Sequence, residues 1–220
     1  MRVDIFRAGV LGCVALLCSR AAAAATYPAV QPGEDFSNPT LQVHAPTSEG
    51  WHLMRSANRI AFAKSGSERD ESYVAAVILF RLPEFADSEA FTEYAKKGIA
   101  EDSPPDRFAI LEAKTDFSSE RGYLCVKYDS VSIDKARVSR ISRKPLRLEM
   151  IALYCQHPHR PNLGFMASYS HRGGAVDDLF AGDAEKFIAS VQVPPQAPAT
   201  KGPAPEAPAR EVHPSPEGKP

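Results

Sequence analysis

No apolar run in this sequence reaches the ~20 residues that a membrane-crossing helix needs. The longest, Ala8 to Cys18, has 11, so the chain is expected not to span a bilayer. Excess charge of either sign is also missing, with 26 Lys and Arg against 27 Asp and Glu and a formal net charge of −1. Nucleic-acid binding is therefore not expected, because such domains carry a basic footprint and stack bases on aromatic residues set among the cations. Four catalytic or cofactor signatures are absent: G-x-S-x-G, H-E-x-x-H, a Walker loop and the dinucleotide-binding G-x-G-x-x-G. The expectation is a protein without cofactor and without catalytic activity. No Asn-x-Ser/Thr sequon exists, since Asn38-Pro39-Thr40 carries proline in the middle. That fits a bacterial periplasm better than a eukaryotic secretory route.

What the sequence does contain begins with an export signal. Arg2 and Arg7 form a positive start, Ala8 to Cys18 an apolar stretch, and Ala21 to Ala25 a run of small residues with an A-x-A cleavage site. Residues 1–25 are read as a signal peptide, with Thr26 as the mature N-terminus and a periplasmic or secreted destination. Val10-Leu11-Gly12-Cys13 also resembles a lipobox, and the alternative is a protein lipid-anchored through Cys13. Removing Arg2, Arg7 and Arg20 together with Asp4 takes the net charge from −1 to −3. It also leaves Cys125 and Cys155 as an even pair in an oxidising compartment, where a disulfide is the default.

Residues 26–49 are rich in Pro, Ser, Thr and Asn and read as an extended lead-in to a single domain over 50–193. Trp51–Arg55 and Arg59–Lys64 predict a hairpin, and the nearly continuous apolar run Ser72–Leu82 predicts a strand covered on both faces. A helix follows, capped by Asp87 or Ser88, with Phe91, Tyr94, Ala95 and Ile99 on one face and Gly98 as its terminating glycine. Strands are expected at Arg107–Phe117, Gly122–Ile133, Leu146–Cys155 and Leu163–His171, then a closing helix through Phe187 and Ile188. The fold class is thus α+β, an antiparallel sheet of about six to seven strands packed with two helices as an α/β sandwich. Residues 194–220 hold nine prolines and five alanines, and read as a disordered, polyproline-leaning tail.

Parity places Cys125 and Cys155 on the same, more polar face of neighbouring strands, paired if the chain turns near residue 140. Such a bridge, closing a loop of about thirty residues, adds ~3.5 kcal/mol in the chain-entropy treatment. The same cysteine opens Cys155-Gln156-His157-Pro158-His159, a C-x-H-x-H with metal-ligand residue types. A disulfide would consume its sulfur, and the expected register sets His171 opposite Leu148, about nine residues or ~30 Å along the strand from His157. No metal is expected; His157 and His159 remain the alternative ligands. Between Asp134 and Glu149 the sequence places Lys135, Arg137, Arg140, Arg143, Lys144 and Arg147 without an intervening acid. Lys135, Arg137, Arg140, Arg143 and Lys144 are the candidate anion-binding residues of a hairpin loop.

The order of hairpin, apolar strand, helix, antiparallel strands and closing Phe187-Ile188-x-Ser190-Val191 helix resembles the PsbP-like α/β sandwich, over about residues 50–193. The segments Cys155-Gln156-His157-Pro158 and Tyr169-Ser170-His171-Arg172-Gly173 are likewise similar to small exported proteobacterial proteins. The resemblance implies a non-catalytic adaptor or stabilising module. Two functions follow: an exported, non-enzymatic envelope-associated module whose partner is an anionic envelope component or another envelope protein, or a metal-dependent or hydrolytic periplasmic enzyme using Cys155–His159.

Overall fold

Runs of β-branched and aromatic residues on either side of the helical stretch 88–102 form strands, and the strands assemble into one sheet. The computed structural model describes residues 27–195; the signal segment 1–25 with Cys13, and the Pro-rich segment from residue 196 on, lie outside the described residues. Strands β1 (His52–Ser56), β2 (Arg59–Ser65) and β3 (Ser72–Arg81) are followed by helix α1 (Ser88–Asp102). Strands β4 (Phe108–Ser118), β5 (Cys125–Val138), β6 (Pro145–His157) and β7 (Arg160–Gly173) lead to helix α2 (Phe180–Ser190). The sheet has seven strands in the order β1-β2-β3-β7-β6-β5-β4, and every neighbouring pair is antiparallel. After β3 the chain crosses through α1 to the far edge and meanders back, so β3 and β7 meet in the middle. No helix among the described residues is long and apolar enough to cross a membrane.

Each sheet face is covered. Ile78, Tyr128, Met150, Tyr154 and Met166 pack with Ile99 of α1 on one face, where Val126 and Leu82 also meet Phe91 and Ala95. The opposite face gathers Trp51, Phe62, Phe165 and Tyr169 under Phe187 and Ile188 of α2. Asp87 caps α1 by accepting the amide N–H of Ala90 at 2.8 Å, which satisfies one of the free donors of the first turn.

Several expectations need correction. The lead-in is extended, yet Val30, Leu41, Val43 and Ala45 are core residues of the α2 face, so the domain takes it in. Gly98 does not end α1: it lies buried inside the helix, which runs on to Asp102 and is capped by Ser103. The stop falls there because Pro104-Pro105 follow and cannot continue it. The face holding Cys125 and Cys155 is not the more polar one; Ile151, Leu153 and both cysteines belong to the larger core cluster. The two cysteines pair in register, Cα atoms 4.1 Å apart, and are joined by a disulfide. Strand β5 reaches Val138, so Lys135 and Arg137 stand on a strand and only residues 139–144 form the turn. Finally, His171 pairs with Glu149, and Leu148 pairs with Arg172. A slip of one residue exchanges the faces of a strand, and it puts His171 on the face of Glu149, Ile151 and Cys155 rather than on that of Leu148.

Candidate functional site

The topology brings the β2–β3 connection (66–71), the α1–β4 loop (103–107), the β5–β6 turn (139–144) and the β7–α2 connection (174–179) to one end of the sheet. The site is built there from buried charges outward. Asp134, wholly buried on β5, faces two guanidinium groups: Arg107 Nη2 donates at 3.3 Å, and Arg172 Nη2 lies 2.9 Å from the same oxygen. The Arg172 contact is a charge contact without hydrogen-bond alignment. Beside it His171, 1% exposed, sits between two carboxylates, with Nδ1 2.9 Å from Glu149 and Nε2 3.0 Å from Glu71. Arg147 Nε lies 3.5 Å from the other oxygen of Glu149. The Tyr73 ring stacks on His171 at 4.8 Å, and its hydroxyl donates to Glu71 at 3.2 Å.

Burial alone would raise the Glu71 carboxyl. The Glu68 amide and the hydrogen bonds from His171 and Tyr73 overcome it, and the group is held below the usual carboxylate range. Tyr73 moves the opposite way: burial and the nearby carboxylates of Asp177 and Glu71 push its hydroxyl up. In this network each buried carboxylate has a cationic or hydrogen-bonding counterpart. The network ties the β2–β3 connection to β6 and β7 at this end of the sheet.

The turn above this framework is tightly held. Ser139 donates its hydroxyl to Asp70 at 2.8 Å and accepts the amides of Ile141 at 3.1 Å and Ser142 at 2.9 Å. Its own amide donates to the Lys144 carbonyl at 2.8 Å. Asp70 also accepts the Arg140 amide at 2.9 Å. The Ser139 hydrogen bond, more than any other cause, pulls the Asp70 carboxyl down, so it stays ionised as the clamp. To close, the turn places Arg143 at φ 59°, in the left-handed region, where glycine carries no penalty and a side chain does.

The predicted cations separate into two groups. Lys135 donates to the Pro105 carbonyl at 2.7 Å, Arg147 faces Glu149, and Arg137 is half-buried. These hold the structure together. Arg140, Arg143 and Lys144 are exposed, and Arg143 and Lys144 form no ion pair among the described residues. The apex between them is Ile141, 67% exposed, with Val138 at 50% beside it on the strand end.

The Cys155–His159 segment is used otherwise. Cys155 is bridged to Cys125. His157 is buried, with Nε2 3.3 Å from the Thr40 carbonyl and Nδ1 accepting the His159 amide at 3.1 Å. Burial draws the His157 ring below its ordinary value, opposed by the Thr40 hydrogen bond. Both ring nitrogens are committed, and among the described residues no three His, Cys, Asp or Glu side chains gather as a metal site. Among the described residues, a cleft of about 530 Å³ borders His157, His159 and Arg160, and another of about 290 Å³ lies between the lead-in and α2, lined by Tyr169 and Phe187.

The sequence reading missed the Glu71–His171–Glu149 row and the Asp134–Arg172 pair. The available signal was the polar interruption of otherwise apolar strands at Asp134, Glu149 and His171; the expected register set Leu148 rather than Glu149 opposite His171 and so hid that pair. The disordered character expected of 194–220 and the anchor at Cys13 concern positions almost wholly outside the described residues.

Comparison with known proteins adds little. No family model matches the sequence, and no curated protein matches it. Among solved structures, a single-substitution mutant of the protein Mog1 is similar with TM-score 0.39 and 9% identity, over 76% of this chain and 95% of that one. The Ran-binding protein Mog1p of Saccharomyces cerevisiae is similar with TM-score 0.40 and 9% identity, over 76% and 96% of the two chains. Likeness at this level carries no argument about what the present chain does.

Proposed function

We propose that this chain is an exported, non-enzymatic module that binds an anionic component of the bacterial envelope through the β5–β6 turn. One observation carries the reading: Arg140, Arg143 and Lys144 are exposed on a turn fixed by Ser139 and Asp70, while the carboxylates below are taken up by Arg107, Arg172, Arg147 and His171. Three exposed cations fixed on one turn, with Asp70 the carboxylate beside Arg140 and no ion pair to Arg143 or Lys144 among the described residues, form a local attractor for anions in a chain of net negative charge. The conformational penalty accepted at Arg143 points the same way, since residues held in sparsely populated backbone regions gather at functional sites. The signal-like start, the disulfide pair and the resemblance to the PsbP-like sandwich support export and an adaptor role.

The test is co-sedimentation with anionic vesicles and with purified peptidoglycan at low and high salt. Binding is expected to weaken as salt rises, because exposed charges are screened over ~8–10 Å near physiological ionic strength. Replacing Arg140, Arg143 and Lys144 together by Ser is expected to remove it while the fold persists, each exposed change altering stability by less than ~0.5 kcal/mol. Arg143→Gly alone separates binding from folding: it relieves the left-handed strain, so stability holds or rises while affinity falls. Equal binding of both materials by wild type and triple variant rejects the turn as the site.

A further inference from the structure

The cations explain attraction to a negative surface, but they give no reason for Ile141. An isoleucine with 67% of its surface exposed stands at the apex of the turn, with Arg140 before it and Arg143 and Lys144 shortly after it. Its backbone is fixed: the Ile141 amide donates to Ser139 Oγ at 3.1 Å, and the Arg143 amide donates to the Ser139 carbonyl at 3.0 Å. The side chain is therefore presented by a rigid loop, and Val138, 50% exposed at the end of β5, extends the apolar tip. This is an aliphatic tip set among three cations and the carboxylate of Asp70, at the end of a 14-residue strand paired to a 13-residue one.

Two classes of anionic surface would attract the cations, but they treat the isoleucine differently. A hydrated glycan or peptide polymer offers carboxylates and no apolar layer, so Ile141 would gain nothing there. A lipid bilayer places hydrocarbon directly beneath its phosphates, and an apolar group flanked by Lys and Arg enters ~5–10 Å at the boundary of headgroups and acyl chains. The arrangement of charge outside and one aliphatic group at the apex matches that layering. Resting on the anion-binding reading above, we infer that the ligand is the surface of a phospholipid bilayer rich in anionic headgroups, and that Ile141 inserts into it while Arg140, Arg143 and Lys144 engage the phosphates. The buried His171–Glu149–Glu71 row near the turn would serve as its stiff base.

The experiment uses the full-length protein and its variants, so that residues 1–25 are common to all of them. Vesicles of phosphatidylcholine alone and of phosphatidylcholine with phosphatidylglycerol are compared with purified peptidoglycan. Ile141→Trp supplies a local reporter, because the single native tryptophan, Trp51, is buried in the core. The expected result is a blue shift of the reporter, with quenching by brominated acyl chains, on anionic but not on neutral vesicles. Ile141→Ser is expected to weaken binding to anionic vesicles roughly tenfold, the size of burying one aliphatic side chain. The Arg140, Arg143 and Lys144 triple Ser variant is expected to lose roughly 100-fold, at about fivefold for each cation near an anionic bilayer. If anion binding falls in the triple variant but Ile141→Ser binds as wild type and the reporter stays in water, the bilayer inference is overturned and anion binding survives. If no charge-dependent binding to vesicles or peptidoglycan is found, both fail together.

Discussion

At the scale of single residues, the informative positions are those that break a local preference. Asp102 is the last residue of α1, next to Glu101, and one of its carboxylate oxygens is buried without a hydrogen-bond partner. Burial, with Glu101 adding to it, pushes this group up to about 6, and the negative end of the helix dipole disfavours its charge as well. The sign follows from linkage. A carboxyl raised in the folded state favours folding while protonated, and its contribution declines as pH climbs through the interval between its ordinary value and about 6. Asp102→Asn is therefore expected to stabilise the protein near pH 7, by about 1 kcal/mol once partial exposure is allowed for. The gain should shrink towards zero near pH 4. Urea denaturation of both proteins at the two pH values checks this, and a stabilisation independent of pH would contradict it.

At the scale of elements, the β5–β6 hairpin joins the basic turn to the disulfide. Its closed end carries the turn, and its open end is fastened by Cys125 and Cys155, 30 residues apart in sequence. Removing the bridge by Cys125→Ser with Cys155→Ser is expected to lower stability by ~3.5 kcal/mol on the loop-closure treatment. Guanidinium titrations with and without reductant, together with a free-thiol count on native protein, would measure it. Alkylation of Cys125 and Cys155 in the native protein would contradict the bridge.

Much of this level was legible in the sequence. Alternation in Leu124–Tyr128 and Leu146–Tyr154 fixed which residues share a face, and the cysteine partners followed from it. The lengths of β5, β6 and β7 were not legible, because charged residues such as Lys135 and Arg137 read as loop until a neighbouring strand supplies ladder partners and Pro105 accepts the lysine. The end of α1 differs from the expectation for a related reason: glycine signals a helix end in isolation, whereas the stop at Ser103 is set by Pro104-Pro105 beyond it.

At the scale of the whole molecule, the architecture is a sheet between two covers, and the sequence announced one cover less clearly than the other. The amphipathic pattern of α1 was visible, whereas Val30, Leu41 and Val43 gave no periodicity, since each is placed by an irregular segment rather than by a repeating element. The ionic base of the proposed site was illegible for a different reason. Asp70, Glu71, Asp134, Glu149 and His171 come from distant parts of the chain, and only strand order and register bring them to one end. The basic segment itself was plain, but its division into structural and exposed cations needed the contacts of Lys135 and Arg147. The central claim is that the exposed turn, and neither cleft, meets the anionic partner. Its most direct test is an amide ¹⁵N NMR titration of the protein with phosphatidylglycerol-containing bicelles and with soluble peptidoglycan fragments. Perturbations are expected to concentrate on residues 139–144 and on Asp70 and Glu71, which clamp and underlie them. Perturbations centred on His44, Ser48 and Lys186, or on His157 and His159, with residues 139–144 unmoved, would contradict it.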